Sequence, residues 1–153
     1  MKNTQDIKIA IVGSMFQKDV TENLEKHCVE TLQEKGVLDN NIKIVHVPGS
    51  LEIPLVVKKL ARQKIYDAII ALGAIHKGKT YHFEQIANEC IRGCMDVSWQ
   101  FEIPVVYEVL AVYEIKDAID RATRKKQNRG VEAAITALEI IQTINKLQER
   151  KKI

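Results

Sequence analysis

The run Ala68-Ile69-Ile70-Ala71-Leu72 constrains the fold more than any other stretch. It carries no polar side chain, so the backbone it forms must be covered on both faces. A strand with one wet face would alternate apolar and polar residues. A short continuous run closed by Gly73 therefore reads as a buried strand of a parallel sheet, Asp67–Ile75. Lys8–Val12, Ile42–Val47 and Pro104–Leu110 are shorter runs of the same kind, with Gly13-Ser14 ending the first.

Apolar residues at three- and four-residue steps fill the intervals. Val20, Leu24, Cys28 and Leu32 predict a helix from about Val20 to Lys35, with Gly36 at its end. Pro48-Gly49-Ser50 turns the chain into a second helix, capped by Ser50 and with Pro54 in its first turn. Phe83, Ile86, Ala87, Cys90, Ile91, Cys94 and Met95 predict a third helix from Thr80, its N-cap, to about Gln100. Glu114–Arg124 and Asn128–Glu149 repeat the helical spacing in the tail. Strands alternating with helices predict an α/β fold: a three-layer α/β/α sandwich, with a four-stranded parallel sheet, helices on both faces and right-handed crossovers. Nothing divides the 153 residues, and 1–153 reads as one domain.

Composition limits the partners. A net charge of +3 is too small to argue for nucleic acid, and the basic run Arg121–Arg129 lacks the interleaved aromatics of a single-strand groove. No apolar run nears the roughly 20 residues that span a bilayer. The opening MKNTQDIKIAIVG has no secretory apolar region. Cys28, Cys90 and Cys94 are odd in number and fit no disulfide framework, and no histidine stands at metal spacing from them. The expectation is a cytoplasmic chain with no metal site, no nucleic-acid partner and no membrane partner.

In open parallel sheets ligands bind at the carboxyl ends of the strands, and helix N-termini there attract anions. Four loops should meet along that edge: Ser14-Met15-Phe16, Pro48 to Glu52, Ala74 to His82, and Ala111-Val112-Tyr113. The third carries Lys77, Lys79, Thr80 and His82, a phosphate-sized anion site with a proton-transfer residue beside it. Glu52 can accept hydrogen bonds from ligand hydroxyls, or serve only as a first-turn charge. Phe16 can stack on a flat heterocycle, or fold back on the core. Gly73–Thr80 also matches G-x-x-x-x-G-K-[ST] literally, so a nucleotide-binding loop competes, although it follows the third strand and no acidic magnesium ligand stands at the end of the fourth.

The stretch L-G-x-x-x-x-G-x-T-x-H-[FY]-[DE] from Leu72 and the turn Pro48-Gly49-Ser50-Leu51-Glu52-Ile53-Pro54 together resemble lumazine synthase, which makes 6,7-dimethyl-8-ribityllumazine in the penultimate step of riboflavin biosynthesis. The similarity runs from Ile9 to about Ile141. It implies a flavodoxin-like fold and a transferase that needs no cofactor. Its two substrates are 5-amino-6-(D-ribitylamino)pyrimidine-2,4-dione and 3,4-dihydroxy-2-butanone 4-phosphate. By match, His82 is the catalytic acid–base and Phe16 stacks on the pyrimidine. Ser50, Leu51 and Glu52 hold that substrate, with main-chain groups of Ala74, Ile75 and His76. Lys79 and Thr80 bind the phosphate. Tyr107 stands for the family's phenylalanine from an adjacent subunit, Arg121 for its phosphate arginine, and Arg129 for a lysine lining the same site. The resemblance further implies a homo-oligomer of at least a pentamer, with sites between subunits.

The chain departs from the pattern at His76-Lys77, at Tyr107-Glu108 where Phe-Gly is usual, at Ala111-Val112, and in the turn Thr123–Gly130, which loses two glycines. These departures motivate the alternative of a catalytically weak flavin- or lumazine-binding shell or scaffold. The intact Thr80–His82 motif argues against the archaeal-type riboflavin synthase of the same fold.

Overall fold

The computed structural model describes residues 2–149. Four strands form one parallel sheet: β1 (Ile9–Ser14), β2 (Ile42–Val47), β3 (Ala68–His76) and β4 (Val105–Val112). Their order is β2-β1-β3-β4, which leaves β2 and β4 at the edges. Register pairs Ile9 with both Ile42 and Ala68, and Ile69 with Val105. Five helices pack on it among the described residues: α1 (Lys18–Glu34), α2 (Ile53–Ala61), α3 (His82–Phe101), α4 (Ile115–Thr123) and α5 (Arg129–Glu149).

Strand alternation sorts the core into two layers. Ile9 and Ile11 of β1, Ile70 and Leu72 of β3, and Val106 and Leu110 of β4 pack on one face against α1, α4 and α5. Ala10, Val12, Ile69, Ala71, Val105 and Val109 face the other way, onto α2 and α3. Residues 68–75 are buried throughout, as an apolar run in a doubly covered sheet must be. This is the expected α/β/α sandwich.

The helix ends follow local chemistry. Gly36, at φ +95°, closes α1: its N–H donates to the Gln33 carbonyl at 2.9 Å, and the Val37 N–H to that of Leu32 at 3.0 Å. Cys90 and Cys94 lie fully buried under α3, as does Cys28 under α1, where burial pushes its thiol up to about 12.

Several local expectations need correction. Gly13 and Ser14 belong to β1 rather than ending it. Thr80 does not cap α3: the helix begins at His82 after Tyr81, which has helical backbone angles and no capping side chain. Ser50 does not cap α2. It opens a 3₁₀ turn, Ser50–Glu52, that runs into the helix at Ile53, and its hydroxyl is buried 3.4 Å from that of Ser14. At both starts the residue before the helix, Glu52 or Tyr81, already has helical backbone angles, which leaves no extended capping residue there. On α3, Ile91 faces outward and Val97 takes the buried position one turn beyond Cys94.

The tail packs tightly. Gly130 lies against the backbone of α1, and a Cβ there would collide with the Leu24 carbonyl oxygen. Neither backbone can yield without parting the two helices. Gly130→Ala should therefore destabilise the protein by about 2–3 kcal/mol. Chemical denaturation of the two proteins, compared at equal slope, measures this, and an unchanged midpoint would contradict the packing described.

Candidate active site

The carboxyl edge of the sheet opens into a cavity of about 420 Å³. The loop after β1 contributes Phe16 and Gln17, and the turn after β2 contributes Gly49 to Glu52. The end of β3 adds Ala74, Ile75 and His76, and the following loop adds Gly78 and Thr80. His82, Phe83 and Ile86 come from the first turns of α3. Its walls are mainly apolar. His82 is exposed at the helix start rather than turned into the core, and Phe16 stands 80% exposed at the rim.

Backbone contacts fix these loops. The Met15 N–H donates to the Val47 carbonyl at 2.9 Å, tying the β1 loop to β2. The Lys77 N–H donates to Val112 at 2.9 Å, carrying the β3–β4 pairing one residue past the strands. Ser14 is fully buried, and its carbonyl accepts the Thr21 hydroxyl at 2.6 Å. At Gly49 the missing side chain leaves room for Glu52, whose Oε2 lies 2.9 Å from where a Cβ would stand. The second loop therefore holds its carboxylate folded over its own turn, at the cavity wall.

The literal G-x-x-x-x-G-K-T match is not a phosphate loop. Gly73 through His76 are β-strand, and Gly73 is spaced against the Ser14 side chain in the neighbouring strand. Only Lys77 to Tyr81 form a loop, too few to wrap a nucleotide phosphate chain with successive N–H groups.

The remaining expected residues do not line this cavity. Lys79 is exposed on the loop without contributing a wall. Lys77 is drawn away, its Nζ 3.6 Å from Glu84 Oε1 and 5.0 Å above the Tyr113 ring. Tyr107 packs half-buried against the α2–α3 layer, where burial and the neighbouring Cys90 thiol push its phenol well above the usual range. Arg121 and Arg129 line a second cavity of about 450 Å³ along the free edge of β4, with Glu108, Tyr113 and Asp117.

The two arginines reach that edge because Asn128 joins α4 to α5. It is 2% exposed. Its Oδ1 accepts the N–H groups of Gly130 at 2.9 Å and Val131 at 3.2 Å, capping α5. Its Nδ2 donates to the carbonyls of Ala122 at 2.9 Å and Arg124 at 3.1 Å, closing the end of α4. Gln127 before it takes φ +54°, a left-handed turn kept where the lumazine synthase pattern has glycine.

A family model described as 6,7-dimethyl-8-ribityllumazine synthase matches residues 6–145. The chain belongs to this family. Its members are transferases, and their reaction is a condensation in riboflavin biosynthesis. The match spans all four strands and both cavities, so both were shaped within one family fold. No helix among the described residues is long and apolar enough to cross a membrane.

Sequence reasoning missed Gln17, Phe83 and Ile86 as cavity residues and used Phe83 and Ile86 only as the apolar spacing of a helix. The signal was present: Phe83 and Ile86 lie one and four positions after His82, on the first turns of a helix whose start faces the strand ends, and Gln17 directly follows Phe16. Replacing Asn128 by Ala strands buried groups at both helix ends, and should lower stability by about 2–3 kcal/mol. Urea denaturation measures it, and a loss below 0.5 kcal/mol would contradict the clamp, on the scale of a neutral surface change of about that size.

Proposed function

We propose that the chain condenses 5-amino-6-(D-ribitylamino)pyrimidine-2,4-dione with 3,4-dihydroxy-2-butanone 4-phosphate to give 6,7-dimethyl-8-ribityllumazine, phosphate and water. The observation that carries the reading is the placing of His82 on an apolar-walled cavity with an exposed aromatic, Phe16, at its mouth. A flat pyrimidine can stack on that ring. Its ribityl hydroxyls and ring edges can bond to Glu52, to Ser50 and Leu51, and to main-chain groups of Ala74, Ile75 and His76.

The chemistry needs protons moved at every step. The 5-amino group attacks the ketone, and loss of water gives an imine. Removal of a proton next to it expels phosphate and leaves an enol. Tautomerisation produces the second ketone, and ring closure by the ribitylamino nitrogen with loss of a second water completes the pteridine. One imidazole within reach of both substrates can serve several of these transfers. Holding two substrates together supplies much of the remaining acceleration.

The phosphate is assigned to Thr80 and Lys79 from one side and to Arg121 from the other, with Arg129 beside it. A guanidinium fork suits a phosphate dianion. Within one chain His82 and Arg121 line different cavities. The reading therefore places the β4 edge of one copy, with Tyr107, Arg121 and Arg129, against the His82 cavity of the next. Such a head-to-tail contact closes into a ring. A pentamer is the proposed unit, alone, paired face to face, or arranged in a sixty-subunit shell. The three buried free thiols suit a reducing compartment, and the cytoplasm is proposed.

Mixing the purified protein with both substrates and following the fluorescence of the lumazine tests the reading. Product should form faster than in the protein-free mixture, and His82→Ala should lower kcat by about 10²–10⁴-fold. A folded protein that adds nothing to the spontaneous rate would overturn the assignment.

A further inference from the structure

Glu108 has no role in the condensation just described, yet it stands in the cavity that holds both arginines. It projects from β4 on the face that carries α4 and α5. Its side chain is 19% exposed, and its Oε1 lies 3.8 Å from Arg129 Nη1. Arg129 also donates to Glu132 at 2.6 Å. Arg121 donates instead to the Asp117 carbonyl of its own helix at 3.2 Å. The wall thus carries two guanidinium groups and the carboxylates of Glu108 and Asp117, with Glu132 paired to Arg129. Their formal charges leave no surplus positive charge for an incoming dianion.

We propose that Glu108 is a built-in counter-anion for this pocket, holding Arg129 while the pocket is empty and taking up a proton when the phosphate of the substrate enters. This rests on the reading that places that phosphate at Arg121. The proton comes from solvent, adds to a carboxylate oxygen of Glu108, and leaves again when inorganic phosphate departs. No other bond is made or broken. Burial already raises the Glu108 carboxyl, Glu132 raises it further, and Arg129 opposes both. A second anion beside it pushes in the same direction as burial. The other charged or titratable groups facing it are Asp117 and Arg121 on α4, Arg129 and Glu132 on α5, and Tyr113 in the loop between β4 and α4. Glu108 is a positioning residue, because it acts through Arg129 and not on the reacting atoms.

Sulfate is the probe, since it stays a dianion across the working pH range and leaves all pH dependence to the protein. Calorimetric titration of the assembled protein from pH 8.5 to 5.5 should show sulfate binding tightening as pH falls, with proton uptake. Glu108→Gln should bind sulfate about tenfold more tightly at pH 8.5, equivalent to ~1.4 kcal/mol. It should also lose most of the proton uptake, while its KM for the phosphate substrate falls. Glu108→Asp keeps the charge and should keep the pH dependence, which a purely structural role would not distinguish. Arg121→Ala should weaken sulfate binding in every background. A Glu108→Gln protein that binds sulfate no better at pH 8.5, or retains the proton uptake of the parent, overturns the proposal, as does sulfate binding that ignores Arg121. Should these fail while lumazine is still formed, the proposal falls alone. Should the parent protein form no lumazine, the functional reading beneath it falls as well.

Discussion

Everything at the carboxyl edge depends on the pairing of β1 with β3. These strands run in register from Ile9 with Ala68 to Gly13 with Leu72, buried on both faces. Glycine near the end of each strand makes room for a neighbouring side chain. A Cβ on Gly13 would strike the Glu25 carboxylate, which lies over that position with His46 at 2.9 Å. A Cβ on Gly73 would press on the Ser14 side chain at 3.0 Å. Because the two strands are parallel neighbours, the loops after β1 and β3 leave the sheet side by side, and Phe16 and His82 come to border one cavity. Parallel strands give every such loop the same edge, which is why binding residues from distant parts of the sequence collect there.

The second governing fact is that β4 is an edge strand. Along its free side, Glu108 of β4, Arg121 of α4 and Arg129 of α5 line a separate cavity. An anion site there, as proposed, would face solvent competition, and fixing its charges would then matter. Asn128 supplies the fixing by bonding both helix ends at once, and Glu132 and Glu108 hold the Arg129 fork between them. On the proposed reading the site gains its full complement of groups when one chain's edge meets another's cavity, and separate chains would each hold half of the chemistry.

Much of this was legible in the sequence. An apolar run at Ala68–Leu72 can satisfy its surroundings in few ways, and the four-residue spacing of Val20, Leu24, Cys28 and Leu32 left little choice for α1. His82, Phe16 and the Pro48–Glu52 turn could be placed at the strand ends from strand-to-helix order alone. What could not be read was how each loop enters its helix. Thr80 and Ser50 have capping chemistry, but the helices start later, after Tyr81 and Glu52, whose backbones are already helical. Nor does spacing tell that Lys77 is held by Glu84 and the Tyr113 ring, because those partners come from different elements. The departure at Glu108 looked like a lost glycine. Only the position of Arg129 on α5 shows that the new carboxylate has a cationic partner.

The central claim is that the catalytic histidine and the phosphate arginine act across two copies of the chain. Subunit mixing tests it most directly. His82→Ala and Arg121→Ala proteins, each nearly inactive alone, are to be unfolded together in equal amounts, refolded and assayed for lumazine. Roughly a quarter of the interfaces in the mixed rings would join two intact halves. Recovery of about that fraction of parental activity is the result expected. Activity no higher than the average of the separate variants, in assemblies shown to be mixed, would place the complete site within a single chain and contradict the account.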